Sequence, residues 1–528
     1  MTTAEQVPPP TVKKKGFLDT IERFGNAIPN ITVLIFFAFL ICLILSFILS
    51  KFDFDYIHPL THEKIVIVNQ MTEQGLLNLI TGLVGNFMGF PPLGITIVAT
   101  LGIGIAEASG FLQAILKKLL RITPRKALTP LVAFVAVVSH VASDSAYVFL
   151  MPIAALMYYN YGRHPLAGIA AAFAGLAGGF SASFLPSNID PIMQGFTQDA
   201  AHIVDPTYSV NVLSNYFVSL GGTIGVIGMC WLITDKWVEP RLNRNIPIAF
   251  GEQKGSVKEM TYMTPLEIKA FRFAMLSLLL LAGGLTLWAY PESSILRFEG
   301  SLTSNKSPLM NMIVPILLVF FSVPGIIYGY ITGKFKSSND IVKSMEGILT
   351  TLISFFVFAF VCAQFLYIFK VSNIGTLLAF SGADLLKSLA LPSGITIIGV
   401  IILTGLLNIL ITSASAKWSV MAPVLVPMLM AVGISPELTQ ASFRISDSAV
   451  NVATPMFPFY PLIISYCQKY FKGTGVGTLS SMMIPYTLGL LLVLTATLFI
   501  FWGFEIPLGI GSQFHWSPPD TQVLNAMP

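Results

Sequence analysis

Apolar runs, each closed by charged or turn-forming residues, recur along the chain at about 31–50, 76–116, 166–198, 211–234, 271–290, 309–332, 346–369, 437–467 and 480–503. A helix needs about 20 apolar residues to cross a bilayer, so the pattern predicts an all-α polytopic membrane protein with nine transmembrane helices. The second run is long and is interrupted by Pro91 and Pro92. It is expected to be a broken or tilted helix with an interfacial extension ending at Lys117 and Lys118. Two further apolar stretches, 127–161 and 391–433, carry a small polar cluster at mid-length, which an ordinary span would avoid.

The positions of the positive charges give those two stretches a shape. Lys13–Lys15 and Arg23 precede the first span; Lys117, Lys118, Arg121, Arg125 and Lys126 follow the second. Lys236, Arg241, Arg244, Lys254, Lys258 and Lys269 fill the 235–270 loop, Lys334, Lys336 and Lys343 precede the seventh span, and Lys469 and Lys472 follow the eighth. All of these lie on the cytoplasmic side only if 127–161 and 391–433 each return to the side they entered from. The expectation is two re-entrant hairpins, one dipping from the cytoplasm and one from outside, with a cytoplasmic amino terminus and an external carboxyl terminus. The chain then divides into a tail over 1–30, one transmembrane domain over 31–510 and a tail over 511–528.

An internal repeat supports this plan. The tip Ser143-Asp144-Ser145 is followed by Met151-Pro152, by Pro165 thirteen residues later, and by an apolar run broken at Pro186-Ser187-Asn188-Ile189-Asp190-Pro191. The tip Ser413-Ala414-Ser415 is followed by Ala422-Pro423, by Pro436 thirteen residues later, and by a run broken at Asn451-Val452-Ala453-Thr454-Pro455. With the orientation above, the two copies are inverted repeats, an arrangement of secondary transporters that bind at the midplane.

Composition agrees with a membrane protein: 54% of the 528 residues are hydrophobic and 11% are charged, against about 25% charged in a soluble domain. A net charge of +4 spread so sparsely offers no basic face for nucleic acid. Cys42, Cys230, Cys362 and Cys467 are far apart and indicate neither a disulfide framework nor a metal site. His58 and His62 are close, but Pro59 opposes a helix that would aim both at one metal. No P-loop is present, Gly102-Ile103-Gly104 lacks the third glycine of a dinucleotide loop, and Gly179-Phe180-Ser181-Ala182-Ser183 fails the nucleophile-elbow pattern. The chain is not expected to be an enzyme or to hold a cofactor.

Ionisable residues inside apolar runs cost about 2.5–3.5 kcal/mol each near a bilayer centre. Five are placed there: Asp144, Asp190, Lys417, Arg444 and Asp447. Arg444, Asp447 and Asn451 stand at i, i+3 and i+7 and share a helical face. Arg444 and Asp447 either neutralise each other or leave Asp447 free for an ion or proton site completed by Asn451 and tip hydroxyls; the second reading is preferred for Asp447. Ser143, Ser145, Thr412, Ser413 and Ser415 offer hydroxyls, though small residues also let hairpin arms pack closely. Trp418 would stack on an aromatic ligand or anchor an interface, Asn188 and Asn408 present amides in apolar surroundings, and His140 is expected to be a helix-facing polar group. Two unrelated roles compete with a carrier: a channel with a hairpin selectivity filter, and an intramembrane protease using Asp144 and Asp190.

The residues Ser413-Ala414-Ser415-Ala416-Lys417-Trp418, Ala422-Pro423, Arg444-Ile445-Ser446-Asp447-Ser448 and Asn451-Val452-Ala453-Thr454-Pro455, with Ser187-Asn188-Ile189-Asp190-Pro191, resemble the p-aminobenzoyl-glutamate transporter (AbgT) family over about residues 15–510. The resemblance implies a bacterial inner-membrane homodimer with nine transmembrane helices and two re-entrant hairpins. It also implies import of p-aminobenzoyl-glutamate or export of sulfonamide antimetabolites, driven by a cation gradient. Asp190, Ser415, Trp418, Arg444, Asp447 and Pro455 match positions that the family uses for transport, and Asn408 matches a hairpin asparagine. A small aromatic, anionic substrate would then find a ring platform in Trp418 and cationic groups in Lys417 and Arg444. Asp447, Asn451 and Asn188, with Ser143, Asp144, Ser145 and Ser413 at the tips, are the expected path of the coupling Na⁺ or H⁺.

Overall fold

In the computed structural model the described residues are 31–56, 64–121, 127–142, 145–183, 185–187, 189–246, 262–302, 307–350 and 352–518. They are helical with no named strand, only two isolated bridges. The expected amino-terminal tail with Lys13–Lys15 and Arg23 lies outside the described residues, as do Arg125, Lys126, Lys254, Lys258, His58, His62, Ser143, Asp144 and Asn188.

Six described helices are long and apolar enough to cross a bilayer: Thr32–Leu49, Tyr216–Asn245, Pro265–Ala289, Ile313–Thr332, Ile353–Val371 and Val476–Gly503. A seventh forms if Thr96–Ser109 and Phe111–Lys118, bent by 66°, count as one span. The bend falls at Gly110, whose φ of +85° closes the preceding helix in a conformation that glycine adopts without strain. The 76–116 run covers three helices, Glu73–Met88, Pro91–Ser109 and the start of Phe111–Arg121, the first two separated where Pro91 starts a new helix without an N–H to continue the old one.

The other two expected spans are interrupted. Pro165–Phe173 continues through a π-helical turn, Ala174–Gly178, before the chain unwinds and restarts as Ile189–Ala201. Pro436–Val450 ends at Asn451, and the chain resumes as Tyr460–Gln468. Both first halves start at a proline behind a side-chain cap: His164 accepts from the Leu166 N–H and Ser435 from the Leu438 N–H.

Each interrupted helix follows a pair of helices joined by a short linker, Leu128–Val138 with Ser145–Asn160 and Ser393–Leu410 with Ala414–Met430. None of the four passes as a span by length and composition. The same order of elements thus occurs in both halves of the chain.

Burial separates two kinds of helix. The long apolar helices expose large side chains, including Ile224, Leu280 and Leu287, the last 76% exposed. Such surface is stable only against acyl chains or another apolar partner. Pro436–Val450, in contrast, carries Glu437, Thr439, Gln440, Ser442, Arg444, Ser446, Asp447 and Ser448, and every one of its residues is buried. Its polar face is enclosed by protein.

Gly102-Ile103-Gly104 has a packing role. A Cβ on Gly102 would stand 2.6 Å from the Leu318 carbonyl oxygen, and one on Gly325 would stand 2.8 Å from the Ala106 Cα, so Pro91–Ser109 and Ile313–Thr332 meet backbone to backbone. The expected tail from 511 is folded as far as 518. Trp516 N–H donates to the Gly433 carbonyl at 3.0 Å, and Ser435 N–H donates to that of Phe514 at 3.1 Å.

Candidate functional site

The buried polar helix Pro436–Val450 packs against Ile189–Ala201 and the π-helical turn of the first half and against Ser393–Leu410 and Ala414–Met430 of the second. Arg444 and Asp447 lie one turn apart on it, where a local ion pair is one of the two readings that their spacing allows, yet each finds a different partner. Arg444 Nη2 reaches Asp190 Oδ1 at 2.8 Å, and Lys417 Nζ reaches Asp447 Oδ1 at 2.7 Å. Two positive and two negative groups therefore cancel as two cross-element pairs. In a buried setting an uncompensated charge would cost several kcal/mol.

Asp190 is held at the restart of its helix, where Ser187 donates to its carboxylate from the backbone N–H at 2.8 Å and from the hydroxyl at 3.3 Å. Arg444 is bound a second way, since its carbonyl accepts from Ser181 Oγ at 2.8 Å, and Ser181 N–H donates to Ser448 Oγ. Ser181 of the failed nucleophile-elbow pattern therefore docks the first interruption onto the polar helix, whereas the Ser183 hydroxyl donates locally to the Leu185 carbonyl.

Asn408 wires the other pair. Its amide nitrogen donates to the Asp447 carbonyl at 2.8 Å and to Asn451 Oδ1 at 3.0 Å, while its amide oxygen accepts from Lys417. Lys417 can only donate, which fixes the orientation of the amide. Lys417 also donates to the Ile411 carbonyl at 3.2 Å. This carbonyl lies just past the helix end at Leu410, where backbone oxygens lack intrahelical partners. Thr454 Oγ1 donates to the Ile409 carbonyl at 2.8 Å and ties the second interruption to the same linker. Pro455, beside it, is half-buried.

The remaining expected residues lie around this core. Ser413 is exposed and caps its helix by accepting from the Ala416 N–H at 3.4 Å; Ser415, half-buried, lies 3.4 Å from it oxygen to oxygen. Ser145 starts a helix. His140 is buried edge-on against Phe180, with ring centroids 5.7 Å apart. Trp418 is 0% exposed, tilted on Phe443 at 4.5 Å between centroids, and its Nε1 donates to Thr197 Oγ1 at 2.9 Å. In this conformation its ring is a packed core surface.

Sequence reasoning did not single out Thr197, Gln440 or Phe443. Thr197 Oγ1 also accepts from Gln440 Nε2 at 3.0 Å and donates to the Met193 carbonyl at 2.8 Å, so one hydroxyl joins both interrupted helices and the tip helix. A signal was present: Gln440 stands one turn before Arg444 on a stretch too polar for a lipid-facing helix. Among the described residues no group of three or more His, Cys, Asp or Glu could hold a metal ion. The four cysteines are free and buried.

The sequence signature of the AbgT putative transporter family matches residues 16–516. The chain belongs to the AbgT family. It is 32% identical over 492 residues to the p-aminobenzoyl-glutamate transport protein of Escherichia coli (strain K12), covering 93% of this chain and 95% of that protein. Two solved AbgT-type structures superpose on it. The Alcanivorax borkumensis YdaH transporter gives a TM-score of 0.85 at 39% identity, covering 91% of this chain and 100% of that one. Neisseria gonorrhoeae MtrF, described as illuminating a class of antimetabolite efflux pumps, gives 0.88 at 36% identity, with coverages of 96% and 100%. Membership makes the chain a multi-pass membrane transporter and not an enzyme.

Proposed function

We propose that this AbgT transporter is a secondary carrier for small aromatic anions of the p-aminobenzoyl-glutamate type, for sulfonamide-type antimetabolites, or for both, coupled to Na⁺ or H⁺. The observation that carries the reading is the pairing of four buried charges across the two interruptions. A pair whose members sit on different elements can be broken and remade as those elements move, so the state of one side of the site is felt by the other.

Asp447, Asn451 and Asn408 supply converging oxygens suited to a small hard cation, and the Lys417 ammonium is the internal positive charge that satisfies Asp447 in this conformation. Ser413, with Ser143, Asp144, Ser145 and Asn188 of the other repeat copy, contributes to the path of the coupling ion. Substrate groups engage Ser415, Arg444, Asp190, Pro455 and Trp418 when the tip helix moves, with Lys417 and Asn408 answering that movement.

The two interrupted helices complete the count to nine spans, and the helix pairs act as re-entrant hairpins related by an inverted repeat. The transport core comprises those four elements within the single domain 31–510. The carrier is a homodimer in a bacterial inner membrane with its amino terminus in the cytoplasm, as the family resemblance and the positive-charge pattern favour. Radiolabelled p-aminobenzoyl-glutamate and sulfonamide flux in proteoliposomes, under separate sodium and proton gradients, tests the reading. Saturable accumulation under one gradient is the expected result; channel-like conductance without accumulation opposes it.

A further inference from the structure

Beside the tip helix Ala414–Met430, at Pro423, lies a cavity of about 260 Å³ lined by Asn86, Phe90, Asp199, Tyr367, Lys370 and Pro423 among others. Its walls come from four separate elements. Glu73–Met88 gives Asn86, and the break after that helix gives Phe90. Ile353–Val371 gives Tyr367 and Lys370, Ile189–Ala201 gives Asp199, and the tip helix gives Pro423. The cavity is therefore built where long apolar helices meet the elements that carry the buried charges.

Asp199 is half-buried, Lys370 is exposed, and neither side chain makes a hydrogen bond or ion pair with any described residue. This contrasts with Asp190, Arg444, Lys417 and Asp447, whose charges are all paired. The Asn86 amide nitrogen is already spent on Gln364 Oε1 at 2.9 Å, and Gln364 is fixed in turn by donating to the Leu83 carbonyl at 3.0 Å. Phe90 is locked edge-on against Phe196 with centroids 5.5 Å apart. The walls are set, while the two charged groups, the Asp199 carboxylate and the Lys370 ammonium, are left over.

We infer that this cavity binds the para-amino-aryl end of the substrate: the aryl amine donates to the Asp199 carboxylate, the ring lies against Phe90 and Tyr367, and the para carbonyl or sulfonyl oxygen accepts from Lys370. The inference rests on the substrate class proposed above and gives its aryl end a site in this conformation, outside the charge-paired core, before the tip helix moves. The chemistry is selective. An aryl amine is neutral at pH 7 and donates two N–H bonds, so a lone carboxylate that would repel an anionic ligand elsewhere accepts this end. A ring with a carbonyl or a sulfonyl at its para position presents the same donor, face and acceptor in the same order. One cavity then serves both p-aminobenzoyl-glutamate and an aminobenzenesulfonamide. A volume near the lower end for ligand sites accommodates a single ring with a short polar arm.

The cavity also has a mechanical route to the core. Asp199 follows Thr197 by two residues on Ile189–Ala201, and Thr197 holds Trp418 and Gln440, while Asp190 at the start of the same helix holds Arg444. A ligand drawn onto Asp199 acts on the helix that carries the first ion pair.

Binding by calorimetry to the full-length protein in detergent tests this, using p-aminobenzoyl-glutamate and its analogue lacking the amine, benzoyl-glutamate. The intact protein is expected to prefer the amino compound by about tenfold or more, the worth of a hydrogen bond to a charged group. Asp199→Ala should abolish that preference while benzoyl-glutamate binds as before, and the shape-conserving Asp199→Asn should reduce it. Lys370→Met should weaken both compounds alike, with the preference kept. Leu366→Trp, which narrows the cavity without altering a charge, should weaken both. Full preference in both folded Asp199 variants, or unchanged affinities in Leu366→Trp, would overturn the site. An intact protein that binds neither compound would instead overturn the substrate class on which the site rests.

Discussion

The Lys417 ammonium lies 2.7 Å from the Asp447 carboxylate, with both side chains about 1% exposed. Lys417 starts from the tip helix and Asp447 from the polar helix, so the contact is also a latch between two elements. Because each charge cancels the other, neither is free to serve as a fixed electrostatic wall for substrate while the latch is closed.

Removing one member of this pair leaves the other buried without a counter-charge. Lys417→Met and Asp447→Asn are each expected to destabilise the protein by about 3–5 kcal/mol. The double substitution Lys417→Met with Asp447→Asn should cost much less than the sum of the two singles. Thermal unfolding in detergent measures this, and strictly additive losses would mean that the two side chains do not interact as described.

Arg444 is expected to resist replacement by lysine. Its guanidinium reaches Asp190 from a helix that Ser181 and Ser448 also anchor, and a single ammonium does not reproduce the planar fork. Arg444→Lys should fold but transport about tenfold more slowly, in line with the loss of a charge-assisted hydrogen bond. Flux equal to that of the parent protein would remove Asp190–Arg444 from the working site.

Trp418 separates a packing role from a hydrogen-bonding one. Trp418→Phe deletes the bond to Thr197 and trims the buried ring, and should cost about 1–2 kcal/mol, since Thr197 still accepts from Gln440. Trp418→Ala also empties the space beside Phe443 and should cost about 3–5 kcal/mol. Equal unfolding temperatures for the two variants would contradict the packed position of the ring.

Gly102 tests the frame around the site. Gly102→Ala places a methyl group against the Leu318 backbone and should destabilise the protein by about 1–3 kcal/mol. Gly85→Ala, on a helix whose Cβ position faces open space, should be nearly neutral or better. A neutral Gly102→Ala would show that the two helices can separate freely.

The interruptions were legible in the sequence for a physical reason. A bilayer tolerates Pro91, Pro186, Asp190, Asn451 or Pro455 in an apolar run only where the backbone is enclosed by protein, so polar and proline residues inside such runs mark the breaks. The helix pairs at 127–161 and 391–433 were legible by the same rule. The partners were not. Helical spacing places Arg444 and Asp447 on one face, yet periodicity says nothing of which neighbouring element faces them, and packing gave each a longer-range partner. The exposure of Trp418 was equally hidden, because an aromatic near a polar tip has the same sequence signature whether it faces a ligand or Phe443. Asp199 and Lys370 escaped notice because they line one cavity only after four distant elements assemble.

The most direct test is gradient-driven uptake of radiolabelled p-aminobenzoyl-glutamate into proteoliposomes holding either the parent protein or Asp447→Asn, each checked for folding. The parent protein is expected to accumulate the compound under a sodium or proton gradient and to stop when that gradient is collapsed, while Asp447→Asn fails to accumulate it under either. Accumulation by Asp447→Asn at the parent rate would contradict the coupling role of the Lys417–Asp447 pair.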